Sequence, residues 1–392
     1  MKRLVTTFLG TALLLSSTSL TFALEEGKLL IWVGNFRDDA ALQAVVDKFT
    51  ADLGVEAKVE VVDPIPEKFQ QAAATGDGPD ILLFAHDRFG DWAAGGLIDP
   101  VNPSAAIKDG ILATGWDAVS IGGKIWGYPV GVEAISLIYN KALVPTPPAT
   151  FEEIPNITVP EGVSKILWDY NSVYQTMTLM AAGGGYAFKK GADGNYDPKD
   201  TGVNNEGSIA GVSFVKKLID DGVMPTGVDY GVMDGAMQKG QVAMVLNGPW
   251  SWGAYKDAGI DIGVAPMPTL NGQPGRPFVG VFAFAINAAS PNKDLAVELL
   301  ENYILEDENL VSWNAATGHL GGLADLSAAE EQKADPNVAA TLANAAVGVP
   351  MPSNPEMGAF WTAMGAALPN VTNGTQDVKT ALDEAAARIR GE

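Results

Sequence analysis

Apolar and polar positions along this chain alternate between two rhythms. Lys28 to Val33 (K-L-L-I-W-V) is a short continuous apolar run, as expected of a strand buried on both faces. Ala40 to Leu53 places Leu42, Val45, Val46, Phe49 and Leu53 at helical spacing, and Gly54 supplies a stop. Val55 to Val62 alternates as a strand does. Glu67 to Thr75 predicts a helix ended by the turn Gly76 to Pro79, and Ile81 to Ala85 predicts a second buried strand. Strand, helix, strand, helix, strand predicts an α/β fold with a mostly parallel sheet covered by helices.

The alternation continues less cleanly. Lys124 to Pro129 and Glu133 to Tyr139 read as strands flanking a crossing, and Asn205 to Asp221 as an amphipathic helix with Ile209, Val212, Val215 and Leu218 on its apolar face. Val242 to Leu246 predicts a buried strand closed by the turn Asn247-Gly248-Pro249, and Phe278 to Asn287 another strand, with a second crossing in it. Helical patterns at Lys293 to Leu305, Pro336 to Ala346 and Gln376 to Arg390 finish the chain. The Pro-rich stretches Pro145 to Pro148 and Pro350 to Pro355 read as local turns. Trp32 and Trp116 are expected in the core.

The start is different. Lys2 and Arg3 precede an uncharged stretch from Leu4 to Leu24, with Leu13, Leu14 and Leu15 at its centre and small Ala23 near its end. This is the pattern of a secretory signal peptide over residues 1–23, and it predicts an exported, soluble mature protein. A length of 392 residues suits more than one domain. The formal charge of −22 opposes phosphate backbones, so no nucleic-acid partner is expected. With no cysteine, disulfides, thiol nucleophiles and thiolate metal sites are excluded together.

Candidate chemistry narrows quickly. His86 and His319 are the only imidazoles, which argues against a His-rich metal site. Asp193-Gly194-Asn195-Tyr196-Asp197 opens like a calcium loop, but Pro198 and Asn204 stand where that loop needs glycine and glutamate, so a turn between strands is the better reading. There is no P-loop, no dinucleotide fingerprint and no nucleophile elbow; Gly183-Gly184-Gly185 reads as a tight turn. His86 reads as a packed or hydrogen-bonded histidine. No cofactor and no metal are expected.

Sugar chemistry fits better. A pyranose offers apolar C–H faces for aromatic rings and an edge of hydroxyls for planar carboxylates and guanidinium groups. Trp250 and Trp252 follow the Asn247-Gly248-Pro249 turn, Tyr174 follows a polar loop, and Trp361 a Pro-rich one. Asp87 and Arg88 stand just past the carboxyl end of a strand, where open α/β sheets bind ligands.

Several blocks resemble, in order, the periplasmic maltose/maltodextrin-binding proteins of ABC importers. They include Glu25-Glu26-Gly27-Lys28-Leu29, Ala74-Thr75-Gly76-Asp77-Gly78-Pro79-Asp80, Ala85-His86-Asp87-Arg88-Phe89 and Ser136-Leu137-Ile138-Tyr139-Asn140-Lys141. Asn247-Gly248-Pro249-Trp250, Pro277-Phe278-Val279-Gly280-Val281 and Ala359-Phe360-Trp361 continue the series. The resemblance implies a two-lobed periplasmic-binding-protein fold with an interlobe hinge and a ligand cleft. The lobes would be 24–131 plus 284–330 and 136–278 plus 337–392, crossing at 132–135, 279–283 and 331–336. It implies a monomer that binds maltose, maltodextrin or a related gluco-oligosaccharide, closes on it and hands it to inner-membrane permease subunits, without catalysis.

Carried over residue by residue, the resemblance makes Asp87, Arg88 and Glu133 hydrogen-bond partners of sugar hydroxyls. Tyr174, Tyr230, Trp250 and Trp361 become cleft aromatics, Phe84 stands for a tryptophan, and Phe36-Arg37 keeps the cation of an Asp-Lys pair. Pro66, Ser172, Thr362 and Gly365 replace polar or charged groups of the family, so a different disaccharide such as trehalose is a second expectation. Two competing functions remain at this level: a glycoside hydrolase using Asp87 and Glu133, and an adhesion or scaffold module.

Overall fold

Strand β1 (Lys28–Val33) divides its side chains with period two: Leu29, Ile31 and Val33 enter one hydrophobic cluster, Trp32 another. In the computed structural model, which describes residues 24–34, 39–191, 194–317, 322–325 and 333–392, helix α1 (Asp39–Leu53) closes the first cluster with Leu42, Val45, Val46 and Phe49. Strand β2 (Glu56–Val61) runs parallel to β1, and α2 (Ile65–Ala73) brings Ile65 and Phe69 to the second cluster. Strand β3 (Ile81–Ala85) lies parallel on the other side of β1. Both faces of β1 and β3 are covered, which is why they read as unbroken apolar runs, whereas Glu56, Lys58 and Val61 of β2 are exposed. A 3₁₀ turn, His86–Arg88, then leads into α3 (Phe89–Ala94), whose Phe89 and Trp92 pack under the sheet.

The chain changes sheet within a single residue. Strand β4 (Tyr128–Ala134) belongs to the first sheet; after Ile135, β5 (Ser136–Asn140) belongs to a second. That sheet grows from β6 (Ser164–Leu167), followed by helices α4 (Val173–Ala182), α5 (Glu206–Asp220) and α6 (Tyr230–Gln238), then β7 (Val242–Asn247) and β8 (Ile262–Ala265). Its order is β8-β5-β7-β6, with β7 parallel only to β6.

Strand β9 (Phe278–Asn287) returns to the first sheet, antiparallel to both β3 and β4 between which it lies. Helix α7 (Lys293–Leu299) continues as a π-helical turn, Leu300–Ile304, before α8 (Asp307–Thr317). Helix α9 (Pro336–Val347) sits on the second sheet: Asn337 Oδ1 accepts from Val264 N at 3.1 Å and Asn344 Oδ1 from Met267 N at 2.8 Å. The short β10 (Val349–Pro350) pairs with the start of β9, and α10 (Met357–Thr372) and α11 (Val378–Arg390) pack on α4 and α5.

Four expectations need correction. Helix α10 was not among the predicted helices: Gly358, Gly365 and Pro369 punctuate it, yet Met357, Phe360, Met364, Leu368 and Val371 still fall on one buried face. The expected helix Lys293 to Leu305 changes to π-helix at Leu300. The strand expected over Lys124 to Pro129 is broken, with Lys124–Ile125 in one short hairpin and β4 starting at Tyr128. Trp116 is half-buried, its indole N–H donating to Lys108 O at 3.1 Å. The Asp193 loop joins two short antiparallel strands, Lys189–Lys190 and Tyr196–Asp197; Asp193 itself, residues 1–23, Phe36, Arg37, His319 and 331–332 lie outside the described residues.

Candidate functional site

The carboxyl end of β3 positions the first side chains. His86 is fully buried: its Nδ1 accepts from Val281 N at 3.0 Å, which leaves Nε2–H to donate to Met351 O at 2.8 Å. Burial presses its pKa from 6.5 to about 4, so the ring is a neutral strut joining β3 to β9 and to the segment after β10. It is no candidate base.

The neighbouring residues turn the other way. Asp87 is 7 % exposed, and its Oδ2 accepts from the Trp361 indole N–H at 3.2 Å. Burial raises its pKa from 3.8 to about 6, against the opposing pull of the Arg88 charge and the Trp361 hydrogen bond. Arg88 is half-buried beside it. Glu133 is buried on β4, in register with Gly280 of β9.

Aromatic rings from the other sheet's side complete the site. Tyr174 stands in the first turn of α4, with its ring 6.3 Å from Trp250 and 6.3 Å from Phe278. Burial, reinforced by the Glu133 and Asp87 carboxylates, raises its phenol well above the ordinary value, so it remains an O–H donor. Trp250 follows Pro249 in a 3₁₀ turn, and its Nε1 donates to Tyr230 Oη at 3.1 Å. Trp361, on α10, packs edge-on against Phe278 at 5.9 Å and Phe360 at 5.0 Å.

These groups surround one cavity of about 630 Å³. Phe84, Asp87 and Arg88 come from the β3 end of the first sheet, Glu133 from β4, and Tyr174, Tyr230, Trp250 and Trp361 from the second sheet's side. All the predicted site residues therefore line it except Arg37, which lies outside the described residues. Pro66, noted as a departure, is also on the wall.

The sequence reading missed Ala85, Gly280, Phe282 and Met351, which line the cavity too. Period-two alternation along β9 was the available signal for Gly280 and Phe282; nothing local marks Met351 in its Pro-rich stretch. Among the described residues, no group of three or more His, Cys, Asp or Glu is placed to hold a metal ion, and no helix is long and apolar enough to cross a membrane.

Two α/β lobes with a mixed polar and aromatic cavity between them define a ligand-binding protein of the two-lobed type. Comparison with known proteins agrees. The chain belongs to the bacterial extracellular solute-binding protein family, which it matches over residues 44–340. A galactooligosaccharide-binding protein of Bacillus subtilis is 28% identical over 96% of this chain and 92% of its own length. The maltodextrin-binding protein of the same organism is 28% identical over 99% and 95%, and a maltotriose-binding protein of Pyrococcus abyssi 28% over 88% and 77%. The family is one of extracytoplasmic binders, so this chain is a binding protein and not an enzyme; the hydrolase reading of Asp87 and Glu133 is not favoured.

Proposed function

We propose that the cavity binds a neutral hexose oligosaccharide, with maltose and maltotriose-type glucans as the leading ligands. The observation that carries this is the division of the cavity wall. Asp87, Arg88 and Glu133 offer acceptors and donors for vicinal hydroxyls, while Tyr174, Tyr230, Trp250 and Trp361 offer faces to the apolar side of a sugar ring. A volume of about 630 Å³ lies in the range of small-molecule sites. Relatives named for maltodextrin, maltotriose and galactooligosaccharide support the class; the last makes a galactosyl oligosaccharide the second reading.

The same proposal assigns the lobes as 24–131 plus 284–330 and 136–278 plus 337–392, hinged at 132–135, 279–283 and 331–336. The one-residue passage from β4 to β5 and the return of β9 to the first sheet support the first two hinges. Residues 1–23 would be removed on export, leaving a periplasmic monomer that closes on sugar and presents it to the permease subunits of an ABC importer. Calorimetric titration with maltose, maltotriose, maltotetraose, trehalose and a galactosyl oligosaccharide tests the reading. Saturable heat with a glucan is expected; no heat with any saccharide overturns it.

A further inference from the structure

The indole of Trp250 lies flat over the backbone of Gly248. A Cβ on Gly248 would meet Trp250 Cζ3, Cη2 and Cε3 at 2.1, 2.2 and 2.5 Å. Conformational freedom is not the reason for this glycine, because φ −110° and ψ 179° are extended values open to any L-residue. The backbone is also pinned. Gly248 N donates to Asn247 Oδ1 at 2.9 Å, and Gly248 O accepts from Ser251 N at 3.1 Å and Ser251 Oγ at 2.8 Å. A side chain at this position would therefore displace the ring, not the chain.

The ring is held at its edge as well, by the hydrogen bond from Trp250 Nε1 to Tyr230 Oη. With Gly248 against its ring and its N–H committed to Tyr230, the indole is fixed where it lines the cavity. Tyr230 Oη also lies 3.5 Å from the donor Asn247 Nδ2. A phenol oxygen that receives two donors keeps its own proton for a third partner.

We propose that Gly248 is a positioning residue: its missing side chain seats the Trp250 indole as a preformed stacking platform, clamped at its edge by Tyr230, whose O–H is left to meet a ligand hydroxyl. This rests on the sugar-binding reading. A platform fixed before the ligand arrives loses little rotamer freedom on binding, which is the physical advantage of setting it in advance.

Gly248→Ala tests the proposal against Gly253→Ala, a control in the next turn whose Cβ would meet nothing within 4 Å. Near-ultraviolet circular dichroism of the ligand-free proteins should show the tryptophan band of Gly248→Ala altered toward that of Trp250→Ala, with Gly253→Ala unchanged and all melting temperatures similar. In titrations with maltotriose and a galactosyl oligosaccharide, Gly248→Ala should weaken binding by about tenfold or more. In a Trp250→Ala background the same change should weaken binding by less than about twofold. A wild-type spectrum and affinity for Gly248→Ala, or an equal loss in both backgrounds, overturns the proposal. Wild-type protein that binds neither sugar overturns the sugar reading instead, and the ligand-free spectra then still decide whether Gly248 positions the ring.

Discussion

Adjacent residues at the end of β3 respond to pH in opposite senses. Asp87 has a folded value of about 6 against 3.8, so the stability it contributes is present at low pH and is lost as pH rises through about 6. His86 has a folded value of about 4 against 6.5, so its contribution is present above 6.5 and is lost as pH falls through about 4. Between these limits the folded chain binds a proton more at one residue and a proton fewer at the other, and the slopes cancel. Asp87→Asn removes one side of the balance. Urea unfolding from pH 4 to 7 should find this variant more stable than wild type at pH 7. That advantage should shrink by about 1 kcal/mol per pH unit as pH falls from 6 to 4. A pH-independent difference between the two proteins would contradict the buried-carboxylate account. The extra stability at neutral pH is what a site holding a charge for its ligand would forgo.

At the scale of elements, the segment after β10 is tied to the first sheet. Met351 O receives His86 Nε2–H, Met351 N donates to Val279 O at 3.1 Å, and helix α3 presses on the next residues through Gly90. A Cβ on Gly90 would lie 1.6 Å from Ser353 O, a backbone atom that cannot swing aside as the Trp250 ring can. Gly90→Ala should therefore destabilise the fold by about 1–3 kcal/mol, read as a lower urea midpoint; an unchanged midpoint would contradict this packing. Much of the first sheet was legible in the chain, because β1, β3 and β9 are covered on both faces and keep unbroken apolar runs. Helix α10 was hidden by its glycines and Pro369, although its buried positions keep helical spacing. The cavity itself was not legible from pattern. Arg88, Glu133, Tyr174, Trp250, Met351 and Trp361 come from separate segments that only tertiary packing brings together. The sequence resemblance supplied most of them, and Met351, outside its quoted blocks, was the kind of residue it missed.

At the scale of the whole molecule, the two large sheets share their chain at β4–β5 and meet across one cavity. Because the polar wall belongs to one sheet's side and most of the aromatic wall to the other, a ligand that satisfies both favours their approach. Small-angle scattering should show the radius of gyration falling when maltotriose is added, and an unchanged value at saturation would argue against hinge closure. The most direct measurement is hydrogen exchange of the protein with and without saturating maltotriose. The account predicts slowed exchange concentrated at residues 84–88, 131–135, 173–176, 248–252 and 359–362, segments that bear most of the cavity wall. Protection absent from these segments, or concentrated on surfaces away from the cavity, would contradict it.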